Sequence, residues 1–320
     1  MRRLTLLVFL FPFFVFSQLS IVDSAQSLID KKQYKQAEQL LKTELSKDQE
    51  NLELIEKLGD VYGHQKKWDD AIVYYEKLKV ARPGVANYHY KYGGALGMKA
   101  LGVSKFKALM YIGDIKKSFI KAIELEPDHI DAHWALIEYY VQIPGIVGGS
   151  KRKAIECANH LQKISAVDGF LAKGYIYEYK DDPELAEVNY KMAIKVGGSL
   201  NCFQKLTDLY ENKTKEPEKA IANIEAAQKK HERNALHYQI GKVCADYNIQ
   251  LDKGIYCLKE YIDNYTVADG VPVEWAYLRL AQIYRLKENK VKATEWVNKA
   301  LAKKASFKQA KEEKALIQTL

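Results

Sequence analysis

Apolar residues recur at spacings of three and four along most of the chain, and not at two. That period places them on one face of an α-helix, so the pattern predicts a succession of amphipathic helices and no convincing strand. The stretch "LELIEKLGDVYGHQKKWDDAIVYYEKLKVARPGV" shows the unit most cleanly. Leu58, Gly59 and Tyr62 share one face of a first helix, and Ala71, Tyr75 and Leu78 share one face of a second. His64 to Asp69 make the turn between them. Pro83 stops the second helix, because it lacks an N–H and disfavours helical geometry in the residue before it. Gly59 and Ala71 are small where the two backbones approach closely, and Tyr62 and Tyr75 fill the wider space above and below.

The unit repeats. Ala37 and Ala71 are 34 residues apart, as are Gly59 and Gly93, Ala186 and Ala220, and Ala193 and Ala227. A fixed offset of this size marks a helix–turn–helix array. Ala172–Gly174–Tyr177–Ala186–Tyr190–Ala193 is a strong copy, Leu206–Tyr210–Ala220–Ala227 follows it, and Leu280–Ala281–Tyr284–Ala293–Ala300 is another. Leu28–Ala37–Leu41 is a weaker copy, and Gly241–Cys244–Leu258 is the most degenerate, with Gly254 where Ala is usual. On these residues the chain resembles the tetratricopeptide repeat family. The resemblance implies an all-α fold, a right-handed superhelical solenoid of about eight helix pairs over residues 18–305, with residues 306–320 as a C-terminal capping helix.

Two units, together about residues 86–163, break the period. In the third, Tyr92–Gly93–Leu96 is in place, but Phe119, Ala122 and Pro127 arrive about ten residues late, which predicts a lengthened helix pair with a loop near Gly102 to Ser104. In the fourth, Leu136 and Tyr140 are in place and Ala154 is about five residues late, behind a break containing Pro144, Gly145, Gly148 and Gly149. A phosphate loop needs G-x-x-x-x-G-K-[ST] after a strand. The spacing here is wrong, a helix ending near Gln142 precedes it, and Ser150 has the chemistry of an N-cap for a helix over Lys151 to Lys163. An elongated turn is the expectation. The Pro-Gly-x-x-Gly-Gly arrangement is similar to that of an exported bacterial subgroup of tetratricopeptide proteins. Over roughly Tyr88 to Lys195 it is distantly similar to the helical domain of the regulators of microtubule dynamics.

The first 17 residues, MRRLTLLVFLFPFFVFS, have a basic start, a short apolar run and small residues before Gln18. This is the pattern of a cleaved signal peptide, with an uncleaved anchor as the alternative. It predicts an exported protein, periplasmic or secreted, of bacterial type, with no membrane span in the mature chain. The two sequons at Asn212 and Asn264 then carry little weight. Loss of Arg2 and Arg3 would lower the net charge from +8 to about +6. Lysines scattered beside glutamates make a solvated helical surface, and no clustered stripe points to nucleic acid. Cys157, Cys202, Cys244 and Cys257 lack metal-like spacing. Buried free thiols are expected, with Cys244 and Cys257 the one pair placed for a disulfide.

Candidate chemistry is sparse. His129 and His133 in "HIDAH" have the spacing of two zinc ligands, but the Glu of H-E-x-x-H is absent and Pro127-Asp128 puts His129 outside the helix. There is no G-x-S-x-G, so the sequence implies no enzyme, no catalytic residue, no metal and no cofactor. Most of the 22 tyrosines stand at packing positions, so core is their default role. Residues flanking those positions on first helices face the concave groove of such a solenoid. They are Tyr90, Trp134, Glu138, Asp168, Tyr175, Glu178, Tyr179, Asp208 and Tyr238, with packing between units as the competing role for the rings. The Lys/Asn carboxylate clamp found in some members of the family is not evident. The expectation is a non-enzymatic scaffold that binds a peptide or protein partner along this groove. The alternative is a small-molecule or glycan-binding component of a cell-envelope uptake system.

Overall fold

The computed structural model describes residues 20–320, and the expected leader, residues 1–17, lies outside them. The described residues hold α-helices, short 3₁₀ and π turns, and no strand. The chain divides into two compact units, a first that ends at Ala135 and a second, Leu136–Leu320. The first contains α1 (Ile21–Asp30), α2 (Tyr34–Leu45), α3 (Leu52–His64), α4 (Trp68–Ala81), α5 (Ala86–Leu101) and α6 (Lys105–Leu125). The helix α7 (Ile130–Gln142) begins in the first unit and ends in the second. The second continues with α8 (Lys151–Ile164), α9 (Ala166–Tyr179), α10 (Pro183–Val196), α11 (Leu200–Asp208), α12 (Pro217–His231), α13 (Asn234–Tyr247) and α14 (Leu251–Asp263). It closes with α15 (Val273–Leu286), α16 (Lys290–Lys303) and α17 (Lys308–Gln318). Seven consecutive pairs pack helix on helix, α1 with α2, α3 with α4, α5 with α6, α9 with α10, α11 with α12, α13 with α14 and α15 with α16; α7 and α8 stand in the fourth place in the order, and α17 packs on α15 and α16.

Local chemistry sets the helix ends. The side chains of Asn51, Ser165, Asp182, Ser199 and Asn289 each accept a hydrogen bond from a first-turn N–H of the helix they precede. Inside a pair the first helix is closed by a residue at positive φ, at Lys32, Lys66, Asp181, Lys215, Asn248 and Glu288. This left-handed step ends the helix and lets the chain reverse.

The core of four of the pairs is built on one kind of contact. The Cβ that Gly59 lacks would sit 2.6 Å from Cε1 of Tyr75. The ring of Tyr190 lies as closely on Gly174, and the side chain of Leu258 on Gly241. Tyr75 donates to the Asp60 carboxylate at 2.8 Å, and Tyr190 to Glu178 at 2.7 Å, so both half-hidden hydroxyls are satisfied. Leu58, Tyr62, Ala71 and Leu78 are buried as the repeat predicts.

In the third pair the ring on glycine is Phe119, whose Cε1 would lie 2.9 Å from a Cβ on Gly93. Phe119 comes ten residues later after its glycine than Tyr75 does after Gly59. All the added residues therefore lie on the loop side of the contact, as extra turns of α5 and α6 that meet at residues 102–104. In the fourth, the break is a turn. Gly148 has φ +111°, and a Cβ on Gly149 would collide with the Ile143 carbonyl. The N–H of Gly148 goes to the Gly145 carbonyl at 3.1 Å and that of Gly149 to the Pro144 carbonyl at 3.2 Å. Those donors are spent inside the turn, so they do not face an anion. Ser150 caps α8, as its sequence position predicts.

Cys202, Cys244 and Cys257 are buried, Cys157 is half-buried, and all four are free thiols. Burial pushes the Cys157 and Cys244 thiols up to about 11, and burial plus the neighbouring Cys244 pushes Cys257 to about 12.

Two outcomes follow from this packing. Gly174→Ala pushes a methyl into the fully buried Tyr190 ring, at a cost of about 1–3 kcal/mol. Better helix propensity returns only about 1 kcal/mol, so the urea midpoint falls. Gly94 has nothing within 4 Å of its missing Cβ, so Gly94→Ala raises the midpoint instead. At about pH 8, where an exposed thiol is partly ionised, Cys244 and Cys257 in the native protein react slowly with a disulfide reagent. In denaturant the same titration finds four thiols.

Candidate functional site

The nine residues expected along a groove meet different fates. Three of them are brought together in the second unit. Glu138 stands near the end of α7, and Tyr175 and Tyr179 stand one turn apart on α9, with ring centroids separated by 6.1 Å. Gln142, one turn beyond Glu138, donates to the Tyr175 hydroxyl at 3.0 Å. Tyr175 is half-buried and burial raises its hydroxyl, against the Gln142 hydrogen bond, which lowers it. Tyr179 is 50% exposed, and the Lys180 ammonium lies 5.4 Å from its ring centre while donating to the Val141 carbonyl. The Glu138 side chain reaches solvent, but crowding around its carboxyl raises it above the usual range, with Lys205 of α11 opposing the shift. An aromatic surface with a reluctant carboxylate and two ammonium groups is suited to a polar chain laid across it.

Four others serve the fold. Asp168 takes a hydrogen bond from the Ser165 hydroxyl at 2.5 Å and completes the start of α9. Glu178 accepts the Tyr190 hydroxyl, and Asp208 accepts from Gln204 at 2.8 Å. Tyr90, in the first unit, packs on Phe119 and on His129, with centroids 6.3 and 5.1 Å away. Trp134 is half-buried in α7. Tyr238 corrects the expectation: it is 6% exposed and lies on the Tyr261 ring at 5.4 Å, so it is interior to the α13–α14 pair.

The sequence reading missed a depression between α11 and α13. Asn201, Gln204 and Thr207 of α11 face Arg233, Leu236 and Gln239 at the start of α13, around a cavity of about 420 Å³. The short turn Val267–Asp269 closes one side. Phe203 and Ile224 floor it. Gln239 approaches Gln204 at 3.5 Å, and Asn223 holds Thr207 at 2.8 Å. The signal was present in the spacing. Gln142 and Tyr175 are 33 residues apart, and Gln204 and Gln239 are 35 apart, so polar groups at one repeat length on successive first helices touch.

The two histidines do not converge. His129 accepts the Ala132 N–H at its Nδ1, while the Nε2 of buried His133 meets the Pro127 carbonyl at 2.8 Å. No cluster of three or more His, Cys, Asp or Glu with the geometry for a metal ion occurs among the described residues. No described helix is long and apolar enough to cross a membrane.

No protein-family model matches the chain, and no curated protein matches it. Among solved structures it is similar to a tetratricopeptide repeat protein from Parabacteroides merdae, at 14% identity over 93% of this chain and 97% of that one, with a TM-score of 0.49. It is also similar to the C-terminal part of a repeat protein of the same kind from Cytophaga hutchinsonii, at 15% identity, 91% and 98% coverage and a TM-score of 0.45. A third is YrrB, described as having an unusual peptide-binding site, at 19% identity, 62% and 99% coverage and a TM-score of 0.43. At these values the likenesses carry no argument of their own. The chain's own periodicity and the side chains stacked on glycine in four of its pairs make it an all-α array of helix pairs whose repeat resembles that of the tetratricopeptide family.

Proposed function

We propose that this protein is a non-enzymatic scaffold that holds an extended peptide segment of a partner along the first-helix faces of its second unit. The observation that carries this reading is the row of unlike polar and aromatic groups from α7 to α13. Glu138, Gln142, Tyr175 and Tyr179 lie at one end, and Gln204, Arg233 and Gln239 lie around the cavity at the other. Side-chain amides can pair with both N–H and C=O of an extended backbone, and the tyrosines supply contact area at low entropic cost. The N-terminal stretch MRRLTLLVFLFPFFVFS supports export, to the periplasm or beyond, as the setting for that partner. Affinity capture from a cell-envelope extract tests this. A protein retained by wild type is expected to be lost when Tyr175 and Tyr179 are both changed to Ala, and retained when exposed Val188 is changed to Ser. Equal capture by all three would place the partner elsewhere.

The cavity between α11 and α13 favours a second reading, a small polar ligand such as a glycan in an envelope uptake system. Its volume of about 420 Å³ falls within the range of known ligand pockets, and Arg233, Asp269 and the amides offer fixed donors and acceptors. A ligand at about 100 times its Kd would raise the stability of the folded protein by about 2.7 kcal/mol. A thermal-shift screen of sugars and metabolites should then show a rise in Tm that is abolished by Gln204→Ala with Gln239→Ala. A flat screen leaves the peptide reading alone.

A further inference from the structure

The added turns of the α5–α6 hairpin in the first unit end in an apolar surface that the fold does not use. Phe106 is 86% exposed, Leu101 73% and Met110 69%, and Met98 and Leu109 are about half exposed. On α6, Phe106, Leu109 and Met110 follow the three-and-four spacing of one helix face. Ile115 and Phe119, which are buried, stand on the opposite face, so the exposed ridge points away from the hairpin's own core. Gly113 continues the ridge, with nothing within 4 Å of its missing Cβ, and exposed Lys117 follows one turn on. Large contiguous apolar surface of this kind marks an interaction site.

The charge around the ridge is predominantly basic. From Lys77 to Gly113 there is no Asp or Glu, while Lys77, Lys79, Arg82, Lys91, Lys99, Lys105 and Lys107 are basic. Lys91 and Lys99 are held by carboxylates of α3 and α4. Lys105 and Lys107 flank Phe106 on either side and make no ion pair with any described residue. Beside the ridge, Lys116 and Lys117 line a cavity of about 640 Å³ together with Lys79 and Lys121, with Asp114 and Glu124 as its acids. A phenylalanine, two leucines and two methionines at a helix-hairpin tip, with Lys105 and Lys107 beside them, match an anionic lipid surface. The apolar side chains enter the headgroup–acyl boundary, and the ammonium groups stay among lipid phosphates.

We propose that the tip of the α5–α6 hairpin docks peripherally on an anionic phospholipid bilayer, with Leu101, Phe106 and Met110 inserted and Lys105 and Lys107 at the headgroups. This contact is separate from the first-helix faces of the second unit and does not depend on what they bind.

Vesicle co-sedimentation tests it, using the chain from Gln18, which holds every helix described above and omits the apolar stretch of residues 1–17. The vesicles are phosphatidylcholine alone and phosphatidylcholine with about 30% phosphatidylglycerol, at about 0.1 M salt. Binding is expected to the anionic vesicles and to weaken steeply on raising the salt. Lys105→Gln with Lys107→Gln should weaken it about 30-fold, from about fivefold per lysine at a charged surface. Phe106→Ser should weaken it about tenfold or more while leaving the circular dichroism spectrum and Tm unchanged, because that side chain supports nothing in the fold. Val291→Ser, equally exposed but on α16, should bind as wild type. The proposal is overturned by no binding to either vesicle, by equal binding to neutral and anionic vesicles, or by tip variants that bind like wild type. It is also overturned if the chain dimerises in the absence of lipid and Phe106→Ser disperses the dimer, which would make a second copy the occupant.

Discussion

A side chain seated on a glycine is the contact on which this architecture depends. It appears as Tyr75 on Gly59, Phe119 on Gly93, Tyr190 on Gly174 and Leu258 on Gly241. Each joins the two helices of a pair near the middle of their shared length. The bare glycine lets the second helix come close, and the large side chain fills the space that closeness would otherwise waste. A helix pair of this size cannot bury its apolar face alone, so the distance set inside each pair also fixes the surface offered to the next. The alanines at Ala71, Ala186, Ala220, Ala293 and Ala300 are fully buried for the same reason: their helices leave no room for more.

The buried tyrosines of the pairs bring a second requirement. A ring buried against glycine brings a hydroxyl with it, and the hydroxyl needs a partner. Asp60 and Glu178 serve Tyr75 and Tyr190, and Glu38 and Glu187 accept from Tyr62 and Tyr210 at 3.3 and 2.9 Å. Carboxylates that look like groove residues by position are therefore partly committed to holding rings in place. What holds no core ring on the first helices of the second unit is the set around Tyr175 and Tyr179 and the amides around the α11–α13 cavity, which bond to one another and to surface groups. The candidate surface is defined by what the core leaves over.

The repeat was legible because glycine, alanine and tyrosine recur at one offset, and because Pro144, Gly148 and Ser150 each have one structural use at their positions. The lengthened third pair was legible too, from the late arrival of Phe119. Tyr238 stands on a first helix, but its ring turns onto Tyr261 of the second helix. Periodicity assigns a residue to a helix face within about a third of a turn, and a large ring can swing across that margin. The cavity between α11 and α13 escaped notice for another reason. Part of its wall is the short turn Val267–Asp269, which comes from outside the repeat, and no helical period reports where such a turn returns.

Lengthening a packed helix pair adds two faces, and the fold constrains only one of them. The inner face of the added turns must match its partner helix, and half-buried Ala108 and Tyr111 do so. The outer face is free, and elsewhere the chain fills such faces with charge, as α16 does with Lys292, Glu295 and Lys299. Where apolar residues are exposed on the regular pairs, they come singly or in twos, as Tyr256 and the Leu185–Val188 pair do. On the hairpin tip five are contiguous, and Lys105 and Lys107 lie among them. Burial of that face against water-excluding material is favourable at about 25 cal/mol per Å² of apolar area, and solvation of it gains nothing for the fold. The residues between Gly93 and Phe119 are thus the part of the first unit whose sequence the repeat does not explain, and an external surface does.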